Sequence, residues 1–291
     1  MVSSIRTLYE FLLEVYTKFG EHKGALLAGG IAFFIFFSLF PLLLFSGIIL
    51  GYILESQAVR EQLMGYVFDN FPVFADFARG TIEELIARRS TAGVIALLGF
   101  LWSGTNLFGG MAVGINAVYE VAETRNLLVQ RLIALGVYLI IAALLILSFG
   151  ATAVASVFRD EVLRLFFPDQ VVAFGWTLFN LLLGSISTIL LFFTVYRLVP
   201  NVRLDFKSIL PGTIVAGIGW ELAKYGFAVY LNVFARQGYG LVYGSFAAIA
   251  LLMFWLYISA VLLLLGAEIN VAFRRRATGG VKSFEPRKGS K

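Results

Sequence analysis

A chain of 291 residues that is 59% hydrophobic and 14% charged, with a mean hydropathy of +0.87, is not composed like a water-soluble domain. Its net charge of +5 does not point to nucleic acid, because the basic residues gather at the ends of apolar runs and in a C-terminal cluster, where membrane topology and anionic lipid account for them. No cysteine and a single histidine, His22, exclude disulfides, thiolate metal sites, a His-rich metal centre and a Ser/His or Cys/His dyad; no Walker-type phosphate loop is present either.

The chain opens on an amphipathic stretch. Ile5, Leu8, Tyr9, Leu12, Leu13, Tyr16 and Phe19 recur at three- and four-residue steps between Arg6, Glu10, Glu14 and Lys18. This period predicts a helix lying along the cytoplasmic interface or packed on the membrane bundle. The apolar run that follows is longer than a signal-peptide core, so the first span, about 25–54, is expected to stay in the mature protein. Pro41 and Ser38 are its candidate kink or gate residues. Pro41 removes a backbone donor, and the carbonyl it releases near Phe37 either lines a site or accepts from a nearby hydroxyl.

Between the first two spans, Val59, Leu63, Tyr66, Val67 and Phe71, then Pro72, then Ile82, Leu85 and Ile86 predict two short amphipathic helices forming an external cap over about 55–90. The second span, about 91–118, carries Trp102, Ser103, Thr105, Asn106 and Asn116 among Gly104, Gly109, Gly110 and Gly114. Small residues let helices approach and Asn bridges them, so the set reads either as interhelical packing or as a cavity lining, with Trp102, Asn106 and Asn116 as candidate substrate contacts.

The third and fourth spans, about 132–158 and 171–196, are uncharged throughout. The fifth, about 208–235, is interrupted at mid-length by Glu221 and Lys224, which share one helix face at a spacing of three. Unpaired at the bilayer centre each would cost about 2.5 to 3.5 kcal/mol, so the two must pair or face protein or water. They are a candidate site for a substrate headgroup or proton, or else a buried ion pair that fixes packing. The sixth span, about 238–267, ends at Glu268 and Asn270, read as an interfacial anchor or as part of a gate. A basic tail over 274–291 is expected to be disordered, leaving residues 1–273 as one membrane domain.

The expected fold is therefore all-α, a polytopic bundle of six transmembrane helices. Lys and Arg number 15 on one side and 7 on the other, leaving out Lys224, which places both termini in the cytoplasm.

Three segments together resemble the YihY/BrkB family of bacterial inner-membrane proteins. They are GGIAFFIFFSLFPLLLF over 29–45, LWSGTN and INAVY within 101–119, and the stretch 196–273 with YRLVPN, GFAVYLNVF, LVYGSFAAIALLMFWLYISA and LLLLGAEINVAF. The resemblance implies six spans, a bacterial inner membrane and a part in envelope integrity, with lipid export phenotypes in some members. It also brings a ribonuclease label, against which the sequence speaks: one histidine cannot supply a zinc nuclease's ligands.

The leading functional reading is a transporter that moves a lipid or other amphipathic molecule between leaflets, without cofactor, metal or enzymatic activity. Two alternatives stay open: a small-solute or ion transporter, and a non-catalytic scaffold that docks envelope proteins through the external cap. The partners expected are membrane lipids, envelope proteins at the cap and a second copy of the chain in a homo-oligomer.

Overall fold

A computed structural model describes residues 2–53, 89–121, 128–129, 131–137, 140, 147, 155, 159, 166–202, 204–236 and 239–277. Among them run six long helices: α1 (Val2–Glu21), α2 (Gly24–Ile53), α3 (Arg89–Val118), α4 (Asp169–Leu198), α5 (Phe206–Arg236) and α6 (Tyr239–Ala277). No β-strand occurs among the described residues. Three stretches of these are long and apolar enough to cross a membrane, Gly24–Leu42, Asp169–Leu198 and Ile249–Ala277. The expected external cap lies outside the described residues apart from the start of α3, and so does most of the expected third span.

The chain divides into two compact units, Met1–Phe33 with Phe108–Lys291, and Phe34–Leu107. In the first, α5 and α6 cross at backbone contact. A side chain on Gly212 would collide with the Gly266 carbonyl, and one on Gly266 with the Tyr196 hydroxyl. The hydroxyl of Tyr196, on α4, donates to the Leu263 carbonyl of α6 at 2.7 Å, and Gly212 N–H donates to Asn270 Oδ1 at 2.8 Å. Further along the seam, Trp220 and Phe227 of α5 each lie 4.9 Å from Trp255 of α6, between ring centroids. Small residues where backbones touch and aromatics where they diverge are how helices pack without a hydrophobic drive between them.

The outward faces are apolar. Val171, Phe174, Leu178 and Leu181 line α4, and Ile214, Ile218, Leu222, Tyr225 and Val229 line α5, all exposed at three- and four-residue steps. In water such faces would aggregate; against acyl chains they are at home.

α1 folds back onto the end of α6 through Phe11 and Val15, packed on Leu265, Ile269 and Ala272. Leu8, Leu12 and Tyr16 stay exposed on the neighbouring face. The helix thus packs on the bundle with one side, one of the two placements expected of this segment, and leaves an apolar side exposed beyond it.

α6 continues well past the expected end near 267. At 39 residues it is about 58 Å long, nearly twice the ~30 Å of hydrocarbon. Arg274, Arg275 and Arg276, assigned by sequence to a disordered tail, form its last turn, where cations favour the negative helix end. Arg275 pairs with Glu120 at 2.8 Å and Arg276 with Glu14 at 3.1 Å, so both guanidiniums hold the helix onto its neighbours.

In the second unit α2 continues as one helix through Pro41. Gly99 of α3 leaves room for the ring, and Phe45 stacks on Phe100 at 4.4 Å. Ser38 donates to the Ile35 carbonyl at 2.7 Å, so its hydroxyl is directed one turn back along its own helix.

The α5–α6 crossing yields a prediction. Gly212→Ala should lower stability by about 1–3 kcal/mol, the cost of overpacking a close contact. Gly226→Ala, on the same helix with nothing within 4 Å, should be neutral or stabilising by up to ~1 kcal/mol. Thermal loss of helicity in detergent, followed by circular dichroism, measures both; equal midpoints would contradict the assigned contact.

Candidate functional site

Two polar groupings stand out in the first unit. The first is at mid-length of α5, where Glu221 is equidistant from Phe206 and Arg236. Lys224 Nζ donates to Glu221 Oε2 at 2.8 Å, and the Thr188 hydroxyl of α4 lies 3.1 Å from Glu221 Oε1 and 3.0 Å from the Gly184 carbonyl of its own helix, its one hydrogen shared between the two acceptors. The Glu221 side chain is 15% exposed and the Lys224 side chain 42% exposed. Its neighbours Leu222 and Tyr225 belong to the apolar outer face of α5. The spacing-based expectation of a shared face is met, and the structure adds Thr188. Chemically, one oriented carboxylate holds an ammonium whose remaining N–H groups are available to an acceptor.

The second grouping joins the start of α2 to the ends of α3 and α6. His22 and Lys23 form the corner between α1 and α2, with Lys23 at φ 55° while its carbonyl accepts the first helical bonds of α2 from Leu26 and Leu27. α3 ends on a Schellman turn: Val121 N–H donates to the Asn116 carbonyl, Glu120 N–H donates to that of Ala117, and Glu120 takes φ 53°. Glycine usually fills that left-handed position, so a glutamate there is held by what its side chain does. Glu120 Oε1 accepts from Arg275 at 2.8 Å and lies 3.4 Å from His22 Nε2. His22 Nδ1 is 2.6 Å from Glu268 Oε1.

One imidazole therefore stands between two carboxylates from two other helices, 13% exposed between Glu120 at 52% and Glu268 at 2%. Burial pushes the Glu120 carboxyl up, yet the Arg275 guanidinium and the His22 ring outweigh it and hold the group below the ordinary carboxylate range.

Asn116 and Asn270 are buried and act as backbone clamps. Asn116 Oδ1 accepts from Asn201 N–H at 2.9 Å, tying α3 to the link between α4 and α5, as Asn270 Oδ1 ties α6 to α5. These contacts fix which end of each amide is NH2; the Asn116 NH2 is buried with no hydrogen-bond partner among the described residues, and the Asn270 side chain adjoins the buried Tyr119 hydroxyl. Trp102, 69% exposed, and Asn106 lie on α3 in the second unit, beside Ser103 and Thr105, whose hydroxyls donate to Phe100 and Leu101 of their own helix.

Glu268 thus has a side-chain partner. His22, which in the sequence served only to exclude metal centres, is that partner. The available signal was its position, a lone histidine in the last polar residues before a long apolar run. Among the described residues no group of three His, Asp or Glu side chains is arranged to hold a metal ion.

The family model described as virulence factor BrkB matches residues 15–290. The chain is 28% identical to the ribonuclease-like protein YfkH of Bacillus subtilis, over 91% of this chain and 96% of that one. It is 28% identical to a UPF0761 membrane protein of Cronobacter sakazakii, over 91% and 88%, and 26% identical to a UPF0761 membrane protein of Vibrio atlanticus, over 90% and 82%. No solved structure matches.

The depressed Glu120 carboxyl has a consequence in acid. Its contribution to stability is present above the ordinary carboxylate value and is lost as pH falls through the lowered one. Arg275→Ala removes the guanidinium that the proton must compete with, so the acid limb of the thermal midpoint against pH should move toward neutral. Superimposable limbs for wild type and variant would refute this.

Proposed function

The chain belongs to the virulence factor BrkB family of membrane proteins, and on that premise we propose that it is a six-span protein of the bacterial inner membrane, both termini cytoplasmic, that moves a lipid or another amphipathic molecule between leaflets. The observation that carries this reading is Lys224. A lysine whose side chain is 42% exposed at mid-length of a helix whose outer face is otherwise apolar carries an ammonium with N–H groups beyond the one given to Glu221, in surroundings where acyl chains offer no acceptor. A passing phosphate or carboxylate headgroup supplies one, while the apolar faces of α4 and α5 accommodate its tails. Glu221, paired with Lys224 beside Thr188, keeps the ammonium in place between passages.

The reading includes no ribonuclease chemistry. The single histidine is engaged on both ring nitrogens by carboxylates, which leaves it neither a free base for a ribose hydroxyl nor a metal ligand. A purely structural pair is the competing reading, favoured by the full engagement of Glu221, and function separates the two.

Purified protein in phosphatidylethanolamine and phosphatidylglycerol liposomes, with a trace of headgroup-labelled phospholipid and an external quencher, tests this directly. Glu221→Gln and Lys224→Ala should slow lipid exchange about tenfold or more, as expected for ~1.4 kcal/mol added to the barrier. Folded variants that exchange lipid at the wild-type rate would end the proposal.

A further inference from the structure

A neutral imidazole has one N–H, whereas His22 presents a ring nitrogen to a carboxylate on each side. Two arrangements serve both neighbours. Either the ring is doubly protonated and donates to Glu268 and Glu120, or Glu268 carries the proton, donates to Nδ1, and Nε2–H faces Glu120. These hold the same number of protons and differ only by a transfer along the 2.6 Å bond. With one proton fewer, Nδ1–H stays on the buried Glu268 and the Nε2 lone pair faces the Glu120 carboxylate at 3.4 Å, an unfavourable contact. The α1–α2 corner then keeps its hold on α6 and loses its hold on the end of α3.

Two carboxyl groups, Glu120 and Glu268, flank the ring, with Arg275 paired to Glu120. The other charged or titratable groups nearby are Lys18 and Glu21 of α1, 2.6 Å apart with Lys18 also attracting Glu268, Lys23 next to the ring, and the buried Tyr119 of the α3 end, which faces Glu268 and Arg274; α2 contributes no charged side chain. The route is graded as well: Glu268 is sealed at 2% exposure, and its proton reaches water through the ring and the half-exposed Glu120.

We propose that His22, Glu268 and Glu120 form a proton-binding site that fastens the α1–α2 corner to the end of α3 when loaded and frees it when empty, and that, on the transporter reading above, the proton is the coupling ion. The proton leaves Nε2 for bulk water and returns by the same path, with no other group changed. Glu268 stands two residues from Gly266, so a change at the site reaches α5 through the Gly212 contact.

The chain contains no cysteine, so spin labels at Thr17→Cys on α1 and Val113→Cys on α3 report the separation of these helices cleanly in the full-length protein in nanodiscs. Between pH 5 and 9 the wild-type label distance should change from one narrow distribution to a broader one as pH rises. His22→Gln, which cannot change charge, should give one distribution throughout. So should Glu120→Gln, on the exposed side of the site, whose amide can donate to the neutral ring. A wild-type distance independent of pH, or a response that survives in both variants, overturns the site.

In liposomes of the stated composition, a one-unit pH gradient should bias labelled phospholipid between leaflets by up to about tenfold in wild type, the value of one coupled proton, and not in His22→Gln. Lipid movement that ignores the gradient in wild type overturns the coupling. If wild type moves no lipid, the transporter reading fails and the coupling with it, while the label distances still decide the proton site.

Discussion

A charge facing hydrocarbon without a partner costs more than most single contacts in a protein contribute, and the described core is organised by that restriction. Glu221 has Lys224 and Thr188, Glu268 has His22, Glu120 has Arg275 and Glu14 has Arg276. These partners join α1, α3 and α6 at one end of the unit and α4 to α5 at mid-length. In a soluble protein many such pairs would be worth little, because water competes for each charge. That discount holds for the exposed pairs of Glu14 and Glu120; for Glu221 and Lys224, beside the apolar outer face of α5, the alternative to pairing is far worse.

What the sequence made legible follows from what is local in it. Glu221 and Lys224 are three residues apart on a helix, so their shared face can be read without a fold. The long helices at 24–53, 169–198 and 239–277 were legible from apolar run length, and the amphipathic α1 from its period. The partner of Glu268 is 246 residues distant, and no spacing rule reaches that far. Nor could the end of α6 be read: three consecutive arginines resemble a solvated tail, and only Glu14 and Glu120, brought in from elsewhere, make them the last turn of a helix. The two left-handed corners were hidden for a related reason, since Lys23 and Glu120 occupy positions where a glycine would have announced the turn.

The Asn residues illustrate how a polar residue in a span carries two meanings at once. Asn116 and Asn270 were candidates for substrate contact and for a gate, and each spends its carbonyl oxygen on a backbone N–H of another segment. That half of the amide is structural. The Asn116 NH2 is buried and unpartnered among the described residues, which leaves it able to serve a transient acceptor without giving up its clamp, while the Asn270 side chain adjoins the Tyr119 hydroxyl. Packing and function are not exclusive readings of such a side chain, because its two ends titrate different needs.

The geometry of α6 links the two polar groupings. Glu268 lies just beyond Gly266, and Gly266 is where α6 meets the backbone of α5 without intervening side chains. Contacts of that kind transmit displacement stiffly, because there is no flexible rotamer to absorb it. Asn270 adds a second tie to Gly212 four residues beyond Gly266, so α5 is gripped on two successive turns of α6. A shift of α6 driven by the His22 cluster must therefore carry the first half of α5 with it. Glu221 and Lys224, nine and twelve residues further along that helix, lie where α5 also packs on α4, through Trp220 on Phe192, Gly217 against Ile189 and Thr188 beside Glu221, so a shift of α5 would be felt on α4 as well.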